Sequence, residues 1–510
     1  MSTTRPADSG PDHELLEGSP FYIHTPTSEV DDRILSLKSG DTFVVVDRRG
    51  DMMPGGLALG GLYHGGTRFL SRFELRFANE RPLLLSSAVR EDNACISVDL
   101  VNVDVTEADV ITIPRGTLHL SRTLVLWEGV LHQRCTLRNY GLAPVTVPVV
   151  LTFGADYHDI FEVRGTRRAR CGAALPPAVD RAGVTLGYRG LDDRVRRTRI
   201  AFSQPPARVT ASAARFDCAL APQSEFTWLA SVSCDDDTPR PVATFQQAVE
   251  RSAGSLRAVR AESCEIVSSN QQFNEWIERS AADLAMMITE TPYGPYPYAG
   301  VPWFSTPFGR DGIITALECL WMMPALARGV LSFLAATQAA DVEPFRDAQP
   351  GKILHEMRSG EMAALNEIPF GRYYGSHDAT PLFVVLAAAY YERTGDLALI
   401  RRLWPAITAA LGWIVRDGDA DGDGFVEYAR ESPTGLVHQG WKDSHDAVHH
   451  ADGRLAEAPI ALCEIQGYVY AAWRGAAQRT VDNALVRYFI IHAHRLLDPE
   501  TGETHDQERP

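Results

Sequence analysis

Three segments of the chain put aromatic rings beside carboxylates: GLVHQGWKDSHD at 435–446, VPWFSTPFGRDG at 301–312 and YYGSHDATP at 373–381. A pyranose offers an apolar C–H face to stack on a ring and a rim of hydroxyls for charged partners, so this mixture predicts a sugar site. Asp443 lies two residues from Trp441, beside Lys442 and Ser444. An acid against an indole wall is poorly solvated, which raises its pKa and suits it to protonate a leaving oxygen. The same position also suits a cap for a helix beginning near Ser444. Arg310 and Asp311 follow Gly309, where the pair can clamp vicinal hydroxyls from a helix start, or where Asp311 simply answers the helix dipole. Asp378 precedes Thr380-Pro381 and suits a helix cap, while Tyr373, Tyr374 and His377 give its loop a sugar-like character. Trp303 and Phe304 read as a pocket wall or as buried aromatics. Glu464, with Gln466 close by in an apolar helix, needs a hydroxyl or an Arg to offset its burial and is assigned to substrate positioning.

Metal sites are less well specified. The run DGDADGDG at 417–424 makes Asp417, Asp419, Asp421 and Asp423 a candidate calcium set. Counted from Asp417 the twelfth position is Tyr428, and from Asp419 it is Arg430, so the bidentate Glu of a calcium loop is absent in both frames. The other reading is an acidic turn leading into a strand, FVEY. His445, His449 and His450 lack an HExxH pattern, and no zinc site or other cofactor is expected.

These groups need elements to hold them. The chain has 510 residues, 45% of them hydrophobic, which suffices for two cores, since single cores stop growing at about 250–300 residues. The net charge of −16, with no basic run, argues against nucleic acid and anionic membrane surfaces as partners. Eight scattered cysteines read as reduced thiols, the polar start has no apolar signal core, and no membrane-span window is evident, so a cytoplasmic location is expected. Between Thr42 and Val232 the text reads as antiparallel strands in Val, Leu and Thr. From Thr244 a helical period takes over. Asn270 is placed to cap a helix with Phe273, Trp276, Ile277, Leu284, Met287 and Ile288 on one face, and further helices are expected at 311–323, 327–338, 381–393, 397–416 and 459–473. Helices separated by loaded loops suit a helical barrel with its site at one mouth.

Seven blocks carry a family resemblance, in order: LGGLYHGGTRFLSRFELRF, PWFSTPFGRDG, GKILHEMRSGEMA, YYGSHDATPLF, DGDGFVEY, GLVHQGWKDSHDA and APIALCEIQGYVYAA. Together they resemble the bacterial glycogen-debranching, amylo-α-1,6-glucosidase-like proteins. The resemblance implies an N-terminal antiparallel β-sandwich over 20–260, after a disordered tail at 1–19, and the first part of an (α/α)6 six-hairpin barrel over 261–510. It implies an inverting glycosidase of carbohydrate metabolism acting on α-glucans, with Asp443 as general acid and Arg310 and Asp311 gripping the terminal sugar; Trp303, Tyr374, Asp378, Trp441, Lys442 and Glu464 are the further candidates for substrate contact. In that family the general base comes from a late barrel segment. After Arg474 the text departs from the family pattern, so the expectation is a barrel truncated at its C-terminus, lacking its base, with a second chain as the partner that completes it. The alternative is a non-catalytic glycan-binding or vestigial homologue.

Overall fold

The computed structural model describes residues 34–53, 59–107, 110–235 and 242–477. The expected tail at 1–19 lies outside them, as does the text after Ala477. The chain divides into two compact units: one takes Met1–Thr289, Tyr298–Thr306 and Arg358–Gly371, the other Glu290–Pro297, Pro307–Met357 and Arg372–Pro510.

The first unit is built on strands whose side chains alternate between inside and outside, as in Leu118–Trp127. That strand turns through Glu128 and Gly129, both at positive φ (46° and 80°), and returns as Val130–Asn139 with Trp127 opposite Val130. Two left-handed residues give a turn whose twist matches the strands it joins. The hairpin sits in an eight-stranded sheet ordered Ala173–Val179, Gly183–Arg189, Val195–Phe202, Glu225–Asp235, Val130–Asn139, Leu118–Trp127, Ile96–Val101 and Leu83–Val89. A four-stranded sheet contains Arg208–Val209, Ala213–Leu220, Val145–Gly154 and Arg72–Phe77, and another contains Ile34–Ser39, Thr42–Asp47, Gly61–His64 and Thr67–Leu70. One buried core draws on all three, with Leu120 and Trp228 from the first sheet, Phe73, Phe153 and Phe216 from the second, and Val44 and Phe69 from the third. The expected antiparallel β domain is therefore present. Within it Arg122 is fully buried, donating to Asp51 Oδ1 (2.6 Å), the Gly50 and Arg49 carbonyls and Gln133 Oε1 (2.9 Å). Breaking such a pair strands a charge, so it fixes the 47–51 turn.

The same unit carries the helices Phe245–Ala261 and Gln271–Met287. Thr244 and Gln247 form a capping box for the first, and Asn270 caps the second as expected. The expected apolar face of the second does not form a core: only Ala282 and Ala285 are buried, and Phe273 and Trp276 remain exposed.

The second unit is helical. The helix Ala379–Thr394 is buried on most sides and packs against Gly309–Glu318, Pro324–Ala336, Leu397–Arg416 and Cys463–Ala477. Among the described residues, Leu397–Arg416 is the helix long and apolar enough to cross a membrane by length and composition. Leu399, Ile400, Leu403, Ile407, Ala410, Leu411 and Ile414 recur at helical spacing and are buried, which makes one face of it core. The segment 425–428 is not a strand; only Tyr428 pairs, with Ile460. Long irregular loops join these helices and hold the acidic groups.

Candidate functional site

Arg310 is the centre of the helical unit's charged cluster. It lies in the first turn of Gly309–Glu318, and a Cβ on Gly309 would fall 1.8 Å from the Leu354 carbonyl, so only glycine lets this turn sit where it does. The guanidinium is largely buried. Its Nη1 donates to Asp378 Oδ2 (3.1 Å) and to the Gly440 carbonyl (2.7 Å), its Nη2 donates to Asp443 Oδ2 (3.0 Å), and its Nε is 4.0 Å from Asp311 Oδ2. One cation thus faces three carboxylates drawn from all three loaded segments. Burial raises the Asp311 pKa; Arg310 opposes this, and the charges of Asp443 and Asp378 add to it. Such a surplus of carboxylate suits hydroxyl donors and the positive charge that develops in glycoside cleavage.

Asp378 differs from its expected role. It occupies the N-cap position of Ala379–Thr394 but makes no capping bond. Its side chain is fully buried and accepts from Ser376 Oγ (2.5 Å) and Arg310 instead, because the guanidinium is the stronger partner. Tyr374 is buried and its hydroxyl donates to the Thr337 carbonyl (2.7 Å), which ties it into the packing of the loop. Tyr373 and His377 are buried as well.

Asp443 has no helix after it to cap. Nor is it walled off by indole: its side chain is 40% exposed and tied to Arg310, while Trp441 is 57% exposed and Lys442 is exposed. The hydrogen bond from Arg310 Nη2, whose guanidinium is itself held by the Gly440 carbonyl, sets the direction of this carboxylate.

A residue not singled out by motif organises that loop. Asp347 is buried in the left-handed region (φ 50°). Its Oδ1 accepts from the Glu431 and Ser432 amides (2.6 and 2.9 Å), and its Oδ2 from Tyr373 Oη (2.7 Å) and Gln439 Nε2 (3.2 Å). Tyr373 Oη in turn accepts from the Leu436 amide, and the His377 amide donates to the Gln439 carbonyl (2.8 Å). Polar connections this numerous favour one conformation of the loop.

Glu464 lies in the first turn of Cys463–Ala477, half-buried. One turn on, within the APIALCEIQGYVYAA block, is Tyr468: burial raises its pKa, as do the charges of Asp378 and Glu464, while Arg310 opposes. Glu464 is therefore within electrostatic reach of the cluster's surroundings. Gln466 is not part of it; it bonds both the amide and the carbonyl of Val426 (2.9 and 2.7 Å).

Trp303 belongs to the β unit. Its carbonyl accepts from Arg358 Nη1 (3.2 Å), and its ring lies 5.8 Å from the Arg164 guanidinium. In the acidic turn, Asp419, Asp421 and Asp423 gather with Glu427, and Asp417 lies beside Arg416 instead. The amides of Gly422 and Gly424 donate to Asp419, that of Asp423 to Asp421, that of Phe425 to Asp423, and those of Ala420 and Asp421 to Glu427. Each of the four acids accepts at least one of the turn's own amides.

Comparison with known proteins follows the same division. Residues 37–230 match the N-terminal domain of some glycogen debranching enzymes, and residues 469–493 match a domain of unknown function. No curated protein sequence matches the chain. Among solved structures, a putative kojibiose phosphorylase from the human microbiome is 8% identical over 90% of this chain and 67% of its own, with a TM-score of 0.57. A bacterial glucoamylase complexed with acarbose is 10% identical over 90% of this chain and 65% of its own, with a TM-score of 0.52. Both place an (α/α)6 barrel after an N-terminal β domain. The chain spans about two thirds of each. The β domain is thus matched by a family model over residues 37–230, and the fold, a large antiparallel β domain followed by a helical region, is that of the two (α/α)6 neighbours.

Proposed function

We propose that this chain acts on α-glucans as an inverting glycosidase of the amylo-α-1,6-glucosidase type. The observation that carries the reading is the convergence of Arg310, Asp311, Asp378 and Asp443. Arg310 and Asp311 grip vicinal hydroxyls of the terminal glucose; Asp443, half-exposed at the cluster's rim, delivers the proton to the leaving oxygen; Trp441 offers an open ring for the next sugar. Asp378 orients Arg310 and is too buried to meet substrate. Inversion also needs a carboxylate to activate water, roughly 6.5–9.5 Å from the acid. Asp378 is excluded by burial and Asp311 flanks the same guanidinium as the acid; the reading takes the base from a late barrel segment outside the described residues, as the family resemblance implies.

Phosphorolysis needs no base, and one structural neighbour bears that activity in its name. Three carboxylates against one guanidinium would repel phosphate, which favours hydrolysis. The test is proton NMR of limit dextrin with the parent and Asp443→Asn chains, each with and without a supplied late-barrel segment. Release of β-glucose that requires the segment and Asp443 supports the reading. Turnover by the unaided chain that Asp443→Asn does not alter refutes it, and glucose 1-phosphate formed on adding phosphate replaces hydrolysis with phosphorolysis.

A further inference from the structure

We propose that one end of the β unit's large sheet docks an acidic protein segment, whose carboxylates are taken by Arg167, Arg170, Arg189, Arg194 and Arg197; this surface is independent of the function proposed above. Between residues 164 and 199 the sequence holds ten arginines, no lysine and three aspartates, against a net charge of −16 for the whole chain. An acid-rich chain has carboxylates to spare, and elsewhere in the β unit arginines use them: Arg68 meets Asp156, Arg81 meets Asp47 and Asp51, Arg90 meets Asp92 and Arg215 meets Asp217. Within the stretch itself Arg168, Arg196 and Arg199 are likewise paired, with Glu361, Asp192 and Asp235. Arg167, Arg170, Arg189 and Arg194 are exposed, Arg197 is half-buried, and none of the five makes a side-chain hydrogen bond or ion pair among the described residues. Exposed Asp193 offsets one of these charges.

The fold gathers the five from three segments. Val184, Tyr188 and Ile200 point into the core, so by alternation Arg189 and Arg197 project from the opposite face of the strands Gly183–Arg189 and Val195–Phe202. Arg189 pairs with Val195 and Gly187 with Arg197, which sets the two arginines on a diagonal with about 7–8 Å between them. Arg194 ends the loop that joins these strands. That loop is fixed by the Gly190 amide on the Arg194 carbonyl (2.9 Å) and by Asp192, which accepts from the Arg196 guanidinium (3.0 and 2.8 Å) and the Arg194 amide (3.2 Å). Gly172 runs along the same end of the sheet: its amide donates to Tyr188 Oη (2.7 Å), and a Cβ there would fall 2.0 Å from the Arg189 carbonyl. Arg167 and Arg170 come just before it, and Arg168 between them is pinned to Glu361 (3.0 Å) and Glu367 (2.7 Å). Arg181, in the turn at the other end of the hairpin, lies about 26 Å from Arg189 along the strand and is no part of the patch.

Five cations without counterions repel one another, and a partner's carboxylates relieve that repulsion. A guanidinium fork takes a carboxylate with two parallel bonds, which an ammonium cannot do, and the stretch uses Arg alone. In an extended peptide every second side chain projects to one side, about 7 Å from the next, which matches the Arg189–Arg197 diagonal. Pro176 and Pro177 interrupt the row of amides in the outermost strand, Ala173–Val179, so the contact is made through side chains and not by adding a strand. The rings behind the diagonal, Tyr157 and Tyr188, are buried, which leaves a sugar or a nucleic-acid base no face to stack on there. A long polyanion or an anionic bilayer would run past the patch onto a chain of net charge −16, whereas a short acidic segment ends within it.

The test is fluorescence anisotropy of the full chain with a labelled peptide of alternating Glu and Ser, at an ionic strength of about 0.1 M, where the Debye length is about 10 Å. A second peptide of the same composition carries its glutamates in one block. The parent should bind the alternating peptide several-fold more tightly than the block peptide. Arg189→Ser/Arg197→Ser should weaken binding of the alternating peptide about tenfold, the range of two exposed charge pairs. Arg189→Lys/Arg197→Lys should lie between, since charge remains and the fork does not, and Arg181→Ser should bind like the parent. Melting temperatures check that each variant is folded. The proposal is overturned by a parent that binds neither peptide, by a folded Arg189→Ser/Arg197→Ser chain that binds like the parent, or by equal affinity for the two peptides, which would reduce the patch to diffuse charge. Tighter binding of oligothymidylate or of phosphatidylglycerol vesicles than of the alternating peptide also overturns it, and gives the surface to a nucleic acid or a membrane.

Discussion

At the scale of residues, the chemistry-bearing types were legible and their meeting was not. Arg310, Asp378 and Asp443 stand out in their own segments, but 68 and 133 positions separate Arg310 from its partners, and nothing local announces that one guanidinium joins them. The aromatics show the converse: Tyr373, Tyr374 and Trp441 look alike in sequence, yet two are core and one is open to solvent. Trp441→Ala should therefore weaken maltotriose binding by about 0.5–1.5 kcal/mol without lowering the melting temperature, whereas Tyr374→Phe should leave binding unchanged and cost about 0.5–1.5 kcal/mol of stability through the lost bond to Thr337. Titration and thermal melts separate the two. Asp159 adds a pH dependence. Its burial pushes the pKa up from 3.8 to about 6, with the Phe161 and Met362 amides and Arg358 opposing and Glu162 adding. The folded state then holds a proton the unfolded chain has released, so this contribution is complete below about pH 4 and is lost as pH rises to about 6. Relative to Asp159→Asn, the parent should lose about 3 kcal/mol across that window, read from urea melts at several pH values. A difference that stays flat would mean that Asp159 is not a titrating group there.

At the scale of elements, alternation and period served well where one face is buried. Leu118–Trp127 and Leu397–Arg416 carry their pattern on their surface, and Asn270 announces its helix. FVEY has strand composition but a single pairing partner, Ile460, which no local pattern supplies. The Gln271–Met287 helix has a readable apolar face, but period alone does not say whether a face meets a core. The helix at Gly309 starts before the expected residue 311 because the Gly309 amide donates to the His355 carbonyl (2.8 Å), a long-range contact. That contact makes a prediction about the element. Gly309→Ala would drive a methyl into the Leu354 carbonyl, so the first turn must shift, at a cost of about 1–3 kcal/mol or more, and Arg310 must shift with it. Stability and maltotriose affinity should fall together. A variant with parental affinity would show that Arg310 is not held by this turn.

At the scale of the whole molecule, the sequence shows a change of texture near residue 260 but not the interleaving of the two units. The β unit runs to Thr289 and takes back Arg358–Gly371, a segment inside the GKILHEMRSGEMA block and its sequel. The reason lies in Arg168, whose side chain is 2% exposed and pairs with Glu162 (3.6 Å), Glu361 (3.0 Å) and Glu367 (2.7 Å). Tyr188 Oη and the Leu191 amide also donate to Glu361, so the returning segment is bound by charge and by backbone alike. A fragment of residues 34–289 keeps Glu162 but loses Glu361 and Glu367, which leaves Arg168 short of partners. Such a fragment should melt below the β unit in the full chain. Arg168→Met should cost the full chain about 1–3 kcal/mol, because Glu361 loses its nearest cation and keeps the Tyr188 hydroxyl, the Leu191 amide and Arg196 at 3.9 Å, and should cost the fragment far less, because there that partner is already gone. Chemical melts of the four proteins decide it. An equal cost in both backgrounds would mean that Arg358–Gly371 contributes little to this unit, and that a single linear boundary describes the chain after all.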